Sequence, residues 1–284
     1  MKAPVCQAYY AQGFDEAVCH THCWRTAENC ADYVLPLMKP WFKVLDVGFG
    51  PGTITCGLAA YVPEGSVVGI EPMDELISIA ETNKTKMGVK NVEFLKGSCY
   101  SICFDDNTFD LVHAHQVLLH LEDPVLALKE MLRVVKPDGY VCVREADLDM
   151  ITIYPEAAPL KFFFTHWRCH SKTQMGRQLK KLAMDAGFTK IDGSISQLFV
   201  SSDTERAWFY DLYTNRVKDS KEAAAAHTIA VTEDGTQYNS THDCKLKEDT
   251  ERMKQKVITC LEEFKSNKAA WAALPNWQIV CQKS

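Results

Sequence analysis

The sequence predicts an α/β protein: a doubly wound, seven-stranded, mostly parallel sheet that carries an inserted helical cap. Three observations predict it. An apolar, β-branched run at Val44–Val47 breaks abruptly into glycines at alternate positions, Gly48, Gly50 and Gly52. From Trp41 to Ala146 short apolar runs alternate with helical patterns, which implies right-handed crossovers and helices on both faces of a parallel sheet. The last two strand-like runs stand about 75 residues apart, where a sheet-closing hairpin needs 2 to 5, so the excess must be structured.

Taken in order, residues 1–40 open with Tyr9, Tyr10 and Phe14 and continue as a helical pattern from about Asp15 to Met38, halted by Pro40. The alternating region then reads strand 41–47, helix 53–61, strand 66–71, helix 74–87, strand 92–96, strand 109–114, helix 123–135 and strand 139–146. After Asp149 the pattern loosens. Ile151–Tyr154 leads into an aromatic run, Phe162 to Trp167, and an amphipathic helix follows from about Thr173 to Ala186, capped at Gly187. Ile191–Val200 alternates as a strand, and Trp277–Cys281 reads as the last one. Between them lie Glu205–Tyr210, an alanine-rich stretch at Glu222–Ala226, a polar turn at Glu233–Gly235 and a helical pattern from Lys245 to Phe264. The expected division is an N-terminal helical segment at 1–40, a sheet domain at 41–200, a helical cap at 201–274 and the closing strand at 275–284.

A chain of 284 residues with 46% hydrophobic content is long enough for one α/β domain and an accessory element. Its net charge of −6 offers no general attraction to phosphates, and no lysine/arginine block compensates locally, which argues against nucleic acid. No secretory h-region and no run of about 18 apolar residues is visible, so a cytoplasmic protein without a membrane span is expected. The 12 cysteines scatter along strands and helices with no C-x-x-C pair, which favours reduced thiols. Cys19-His20-Thr21-His22-Cys23, flanked by Cys6 and Cys30, has metal-binding residue types, but no second pair completes four-coordination, and no metal is expected.

The glycine run is the first functional signal. Glycines let the backbone take positive φ and let a ligand approach closely, while the helix starting at Thr53 offers free N–H groups and a positive dipole end. The spacing departs from the dinucleotide pattern G-x-G-x-x-G, since the third glycine is displaced. About 20 residues on, Ser66–Glu71 is a second strand closing in an acid, Glu71, placed to accept both hydroxyls of a ribose. Ligands of such sheets sit outside the carboxyl ends of the strands, which nominates Glu71-Pro72-Met73, Gly97-Ser98-Cys99, His115-Gln116 and Glu145 to Asp147 as well.

With these residues in hand, the chain resembles the class I S-adenosylmethionine-dependent methyltransferases, in particular the ubiquinone/menaquinone-type small-molecule group. The resemblance rests on Val44–Thr53, Val68–Pro72, Phe109–Val112 and Leu128–Gly139, in the family's order and near its spacing. It implies a Rossmann-like fold, S-adenosyl-L-methionine as cofactor and a small-molecule acceptor, with the N-terminal segment lying over the cofactor mouth. The cofactor-binding set it implies is Tyr10, Arg25, Asp46, Gly48, Gly50, Gly52, Thr53, Glu71, Pro72, Met73, Ser98, Cys99, His115 and Gln116, with His22 a further contact. Ser98 stands where many relatives carry an aspartate for the adenine amino group, and Phe49 stands where they often carry cysteine.

A sulfonium methyl is already activated, so a base is needed only where the acceptor must lose a proton. His22, His113, His115, His120, His166, His170, Glu145 and Asp147 are candidates, and Glu145 and His115 are preferred because strand ends bring them toward the methyl. Three readings stay open: methyl transfer to a small, partly apolar metabolite; a binding or regulatory subunit without transfer; and a non-methylating enzyme such as a pericyclase. Oligomeric state is not readable.

Overall fold

A computed structural model describes residues 24–165, 172–219, 229–231, 237–239 and 244–284, with side chains described outside 219–250. Tyr10, His22, His166, His170 and the Cys19–Cys23 cluster lie outside the described residues.

The parallel half of the sheet is β1 (Lys43–Val47), β2 (Ser66–Glu71), β3 (Val92–Lys96), β4 (Phe109–His115) and β5 (Val135–Ala146), ordered β3-β2-β1-β4-β5. The closing strand β10 (Trp271–Gln282) pairs antiparallel with β5 and, on its other edge, with β7 (Lys190–Val200). Seven strands were expected, and the sheet has 8: a short β6 (Thr152–Tyr154) pairs with Trp271–Ala273, beside the stretch of β10 that β5 leaves free. That partner is available because β10 begins at Trp271 rather than near Trp277, and its alternating burial continues to the start.

The N-terminal segment also differs from expectation. The residues described between Trp24 and Met38 form a four-residue helix, Ala27–Cys30, and a 3-10 turn at Leu35–Leu37 in place of one continuous helix. Thr26 and Asn29 form a reciprocal capping box that starts a helix anew, and Pro36 withholds the N–H a longer helix would need.

Opposed residues on neighbouring strands share a face. On one face, Leu45, Val112, Val141 and Val143 pack against Leu128 and Met131 of helix Pro124–Val134 and Leu179 and Ala183 of helix Met175–Ala186. The latter helix buries Leu179, Leu182, Ala183 and Ala186, a stripe at i, i+3, i+4 and i+7, and stops at the left-handed Gly187. On the other face, Val44, Leu111 and Cys142 meet Ala27, Cys30, Ala31 and Val34 of the N-terminal segment.

A third apolar cluster sits where β7 and β10 run past the ends of the parallel strands. Val200, Ala272 and Leu274 are covered by helices Ala158–Thr165, Asp203–Asp219 and Cys244–Ser266. Phe164 lies 4.7 Å from Tyr213 and 6.1 Å from Phe209 between ring centroids, so the two aromatic runs noted in the sequence pack on each other. Arg206, buried among them, donates to Ser201 O and Asp203 Oδ1, and to Lys265 O at 3.5 Å, tying the two long helices at one end. β8 (Ile229–Val231) and β9 (Gln237–Asn239) form a separate two-stranded ribbon.

Candidate functional site

A cleft opens at the carboxyl ends of β1, β2 and β4, lined by Arg25, Asp46, Gly48, Phe49, Gly50, Pro51, Thr53, Ile54, Glu71, His115 and Gln116. Its floor is the glycine loop. Gly48, Gly50 and Gly52 all take left-handed φ, +69°, +55° and +76°. Their surroundings differ. A Cβ on Gly48 would stand 2.6 Å from Val117 Cγ2, and one on Gly52 would stand 2.7 Å from both Ala80 Cβ and Phe94 Cζ, whereas one on Gly50 would meet nothing within 4 Å. Two of the glycines therefore admit protein packing, and the third faces open space in the cleft. Asn83 Nδ2 donates to Pro51 O at 2.9 Å and steadies the loop from the helix after β2.

Asp46 is part of the frame of the loop. Its Oδ2 accepts from Thr55 Oγ1 at 2.6 Å and its Oδ1 lies 2.8 Å from His113 Nδ1, so both oxygens have partners inside the protein. Glu71 is buried at the end of β2, and its Oε2 accepts the Gly50 N–H at 3.4 Å. Burial pushes its carboxyl up to about 7, against the opposing pull of the Gly50 and Met73 backbone N–H groups.

The opposite wall is a hydrogen-bonded chain across three elements. Arg25 Nη2 donates to Gln116 Oε1 at 2.8 Å, and Gln116 Nε2 donates to Asn276 Oδ1 at 3.2 Å. Gln116 takes φ +54°, unusual for a residue with a Cβ, and its N–H donates to Arg144 O at 2.8 Å. His115, also in the lining, is the last residue of β4 and stands opposite Arg144 of β5.

The remaining expectations are placed elsewhere. Pro72, Met73, Ser98 and Cys99 are not in the lining of the cleft; Ser98 Oγ accepts the Tyr100 N–H at 3.1 Å, and Cys99 is buried in the main core with its thiol pushed up to about 12. Glu145, nominated as a base, points to the other face of the sheet, as strand alternation requires once Arg144 shares a face with His115. Its Oε1 accepts the Val117 and Leu118 N–H groups at 2.8 and 2.6 Å, bracing the turn after β4, and burial pushes the carboxyl up to about 8. Asp147 is paired with Arg177 at 2.6 Å. His113 is fully buried against Asp46.

Sequence reasoning gave Phe49 no role in the site and passed over Ile54, Asn276 and Arg144. Phe49 does stack on Phe94 at 4.6 Å, but it also lines the cleft. Arg144 was findable: it is the one cation between the apolar run from Tyr140 to Val143 and Glu145, the acid that was chosen. Among the described residues no group of three His, Cys, Asp or Glu comes together as a metal site, and no helix is long and apolar enough to cross a membrane.

Comparison with known proteins gives a consistent result. A family profile described as a methyltransferase domain matches residues 39–187. An uncharacterized methyltransferase of Schizosaccharomyces pombe is 42% identical over 234 residues, 78% of this chain and 84% of its own length. A probable methyltransferase of Aspergillus luteorubrus is 30% identical over 70% of this chain and 76% of its own. Demethylmenaquinone methyltransferase of Bacillus cereus shares 39% identity over only 40% of this chain and 49% of its own. Among solved structures, a putative methyltransferase of Bacillus halodurans superposes with TM-score 0.54 at 16% identity, covering 90% of this chain and all of its own, a likeness of fold.

Proposed function

The chain belongs to the class I S-adenosylmethionine-dependent methyltransferases, and from that membership we propose that its cleft binds S-adenosyl-L-methionine and that the acceptor is a small, partly apolar metabolite. The observation that carries the reading is the pairing of Gly50, open to the cleft, with the buried carboxyl of Glu71 directly beside it. A ribose whose two hydroxyls donate to Glu71 would lie against the only stretch of loop without side-chain cover, and the N–H groups at the start of helix Thr53–Ala59 would face its polar end. Arg25, held in the cleft by Gln116, is placed to take the cofactor carboxylate.

The bound cofactor supplies an activated methyl, so the work of the protein is to hold the acceptor in line at about 3 to 3.5 Å and keep water out. His115 is the nominated base that lines the cleft, and it suits an acceptor that must lose a proton. The helices Asp203–Asp219 and Cys244–Ser266 serve as a cap in this reading. What supports that role is the edge-to-face contact of Trp208 with Trp24, centroids 5.0 Å apart, which joins those helices to the residue next to Arg25. Cytoplasmic residence agrees with the cysteines, all free among the described residues.

The test is a mass-spectrometric screen of metabolite pools with S-adenosylmethionine. A gain of one methyl with stoichiometric S-adenosylhomocysteine supports the reading. A transformed metabolite without S-adenosylhomocysteine would replace it by a non-methylating enzyme, and cofactor binding with no turnover would make the chain a binding subunit.

A further inference from the structure

Arg144 is almost fully buried, 5% exposed, near the carboxyl end of β5. Its Nε donates to Ser196 Oγ at 3.2 Å. Around the guanidinium lie the Cys30 thiol, the Tyr33 phenol and a second guanidinium, that of Arg25; burial, helped by Arg25, pulls its pKa down against the opposing influence of Cys30, Tyr33 and, more weakly, Asp32. Among the described residues no carboxylate comes within ion-pair distance of it. Three other arginines of the fold are held by acids: Arg133 by Glu130 and Asp106, Arg177 by Asp147, and Arg206 by Asp203. A buried cation without an anion costs several kcal/mol in effect, and chains retain one where a ligand completes it.

The position says which ligand. Arg144 stands opposite His115, a cleft residue, and its other neighbour is Gln278 of β10, so it is one strand further from the glycine loop than any residue of the cleft lining on the sheet. Arg25, by contrast, is in that lining. Arg25 lies within electrostatic reach of Arg144, and neither guanidinium has a carboxylate partner among the described residues, whereas the cofactor brings one carboxylate.

We propose that Arg144 is the receptor for a carboxylate on the methyl acceptor, so that the substrate is an organic acid whose remaining surface is apolar. This rests on the methyltransferase reading above. One guanidinium enclosed by a neutral thiol and phenol balances a single negative charge, which a carboxylate carries and a phosphate monoester exceeds. The planar fork matches a carboxylate through two parallel N–H donors, and Ser196 fixes its rotation by holding Nε.

The experiment uses the full chain saturated with S-adenosylhomocysteine and measures binding of acetate, benzoate, indole-3-acetate and decanoate, each beside its amide, with phenyl phosphate as a further probe. At least one apolar carboxylate should bind while its amide does not. Arg144→Gln should weaken that carboxylate roughly 10- to 100-fold, Arg144→Lys should retain part of it, and both should keep S-adenosylhomocysteine affinity within about twofold. Loss of S-adenosylhomocysteine but not of 5′-methylthioadenosine in Arg144→Gln would assign the residue to the cofactor carboxylate and overturn the proposal. Amides binding as well as acids, phenyl phosphate alone binding, or no probe binding would overturn it too. If wild type fails to bind S-adenosylhomocysteine at all, it is the methyltransferase reading that fails.

Discussion

Alanine at each of the three loop glycines separates ligand space from packing space. All three positions have left-handed φ, so each Gly→Ala change carries a backbone cost of about 1 to 2 kcal/mol. At Gly50 nothing is added to that, since the new Cβ meets no atom within 4 Å. At Gly52 the Cβ would overlap Ala80 and Phe94 at 2.7 Å, distances real carbons do not adopt, and relief of such overlap costs about 1 to 3 kcal/mol more. The unliganded Gly50→Ala protein should therefore melt only a few degrees below wild type, at about 2 to 4 °C per kcal/mol, and Gly52→Ala should lose roughly twice as much. S-adenosylhomocysteine titrated by calorimetry should reverse the order. The Gly50 methyl projects into the cleft beside Glu71 and should weaken binding by about 10- to 100-fold, the equivalent of 1.4 to 2.7 kcal/mol. Gly50→Ala binding at wild-type affinity, or falling in stability as far as Gly52→Ala, would refute this division of the loop.

Glu71→Gln should cost about 10- to 100-fold in S-adenosylhomocysteine affinity, and in wild type that affinity should be level above pH 7 and fall about tenfold per unit below it, as the carboxyl pushed up to about 7 takes a proton; calorimetry across pH 5.5 to 8.5 checks both. Glu145→Gln should leave methylation and cofactor affinity nearly intact, because the amide oxygen can still accept the Val117 and Leu118 N–H groups; a drop of 100-fold or more in rate would restore Glu145 as a base. The folded chain keeps the Glu145 proton up to about pH 8 while the unfolded chain releases it near 4.5, so wild-type stability should decline as pH rises through that window, and Glu145→Gln should flatten the decline in denaturant titrations. Trp208→Ala removes the edge contact with Trp24, about 0.5 to 1.5 kcal/mol, and should raise the acceptor KM with little change in cofactor affinity.

The strand–helix alternation was legible because buried parallel strands and their covering helices leave strong periodic signals: β2, β3 and the helix between them fall where the apolar pattern puts them. The loop was legible for a similar reason, since no residue other than glycine satisfies positive φ and a close neighbour together at Gly48 and Gly52. What the pattern does not carry is side-chain direction at the end of a strand. Arg144 and Glu145 are adjacent, both charged and both buried, and a shift of one residue decides which shares a face of the sheet with the cleft residue His115. That register is set by the antiparallel partner β10, which enters the sequence more than a hundred residues later. The short β6 was illegible on the same ground: it exists because β10 extends past β5, and a three-residue strand has no period to detect.

Three buried acids surround the cleft, and only one of them is open to a ligand. Asp46 has both oxygens occupied by Thr55 and His113, which fixes β1 to the first helix and to β4, and so fixes the two ends of the glycine loop. Glu145 accepts two backbone N–H groups of the turn after β4 and thereby sets Val117, whose methyl groups lie where a Gly48 side chain would go. These two carboxylates hold the loop from opposite faces of the sheet. Glu71 accepts the backbone N–H groups of Gly50, at a long 3.4 Å, and of Met73, and its pKa is raised by burial, a combination that costs the unliganded protein stability and that hydroxyl donors would relieve. The same logic applies on the cation side, where Arg177 and Arg206 are paired within the fold and Arg144 is not. In the proposed reading, preorganisation consists of satisfying the charges that shape the cleft while leaving Glu71 within it and Arg144 one strand beyond it for a ligand to complete, each specifying by its sign what the ligand must bring.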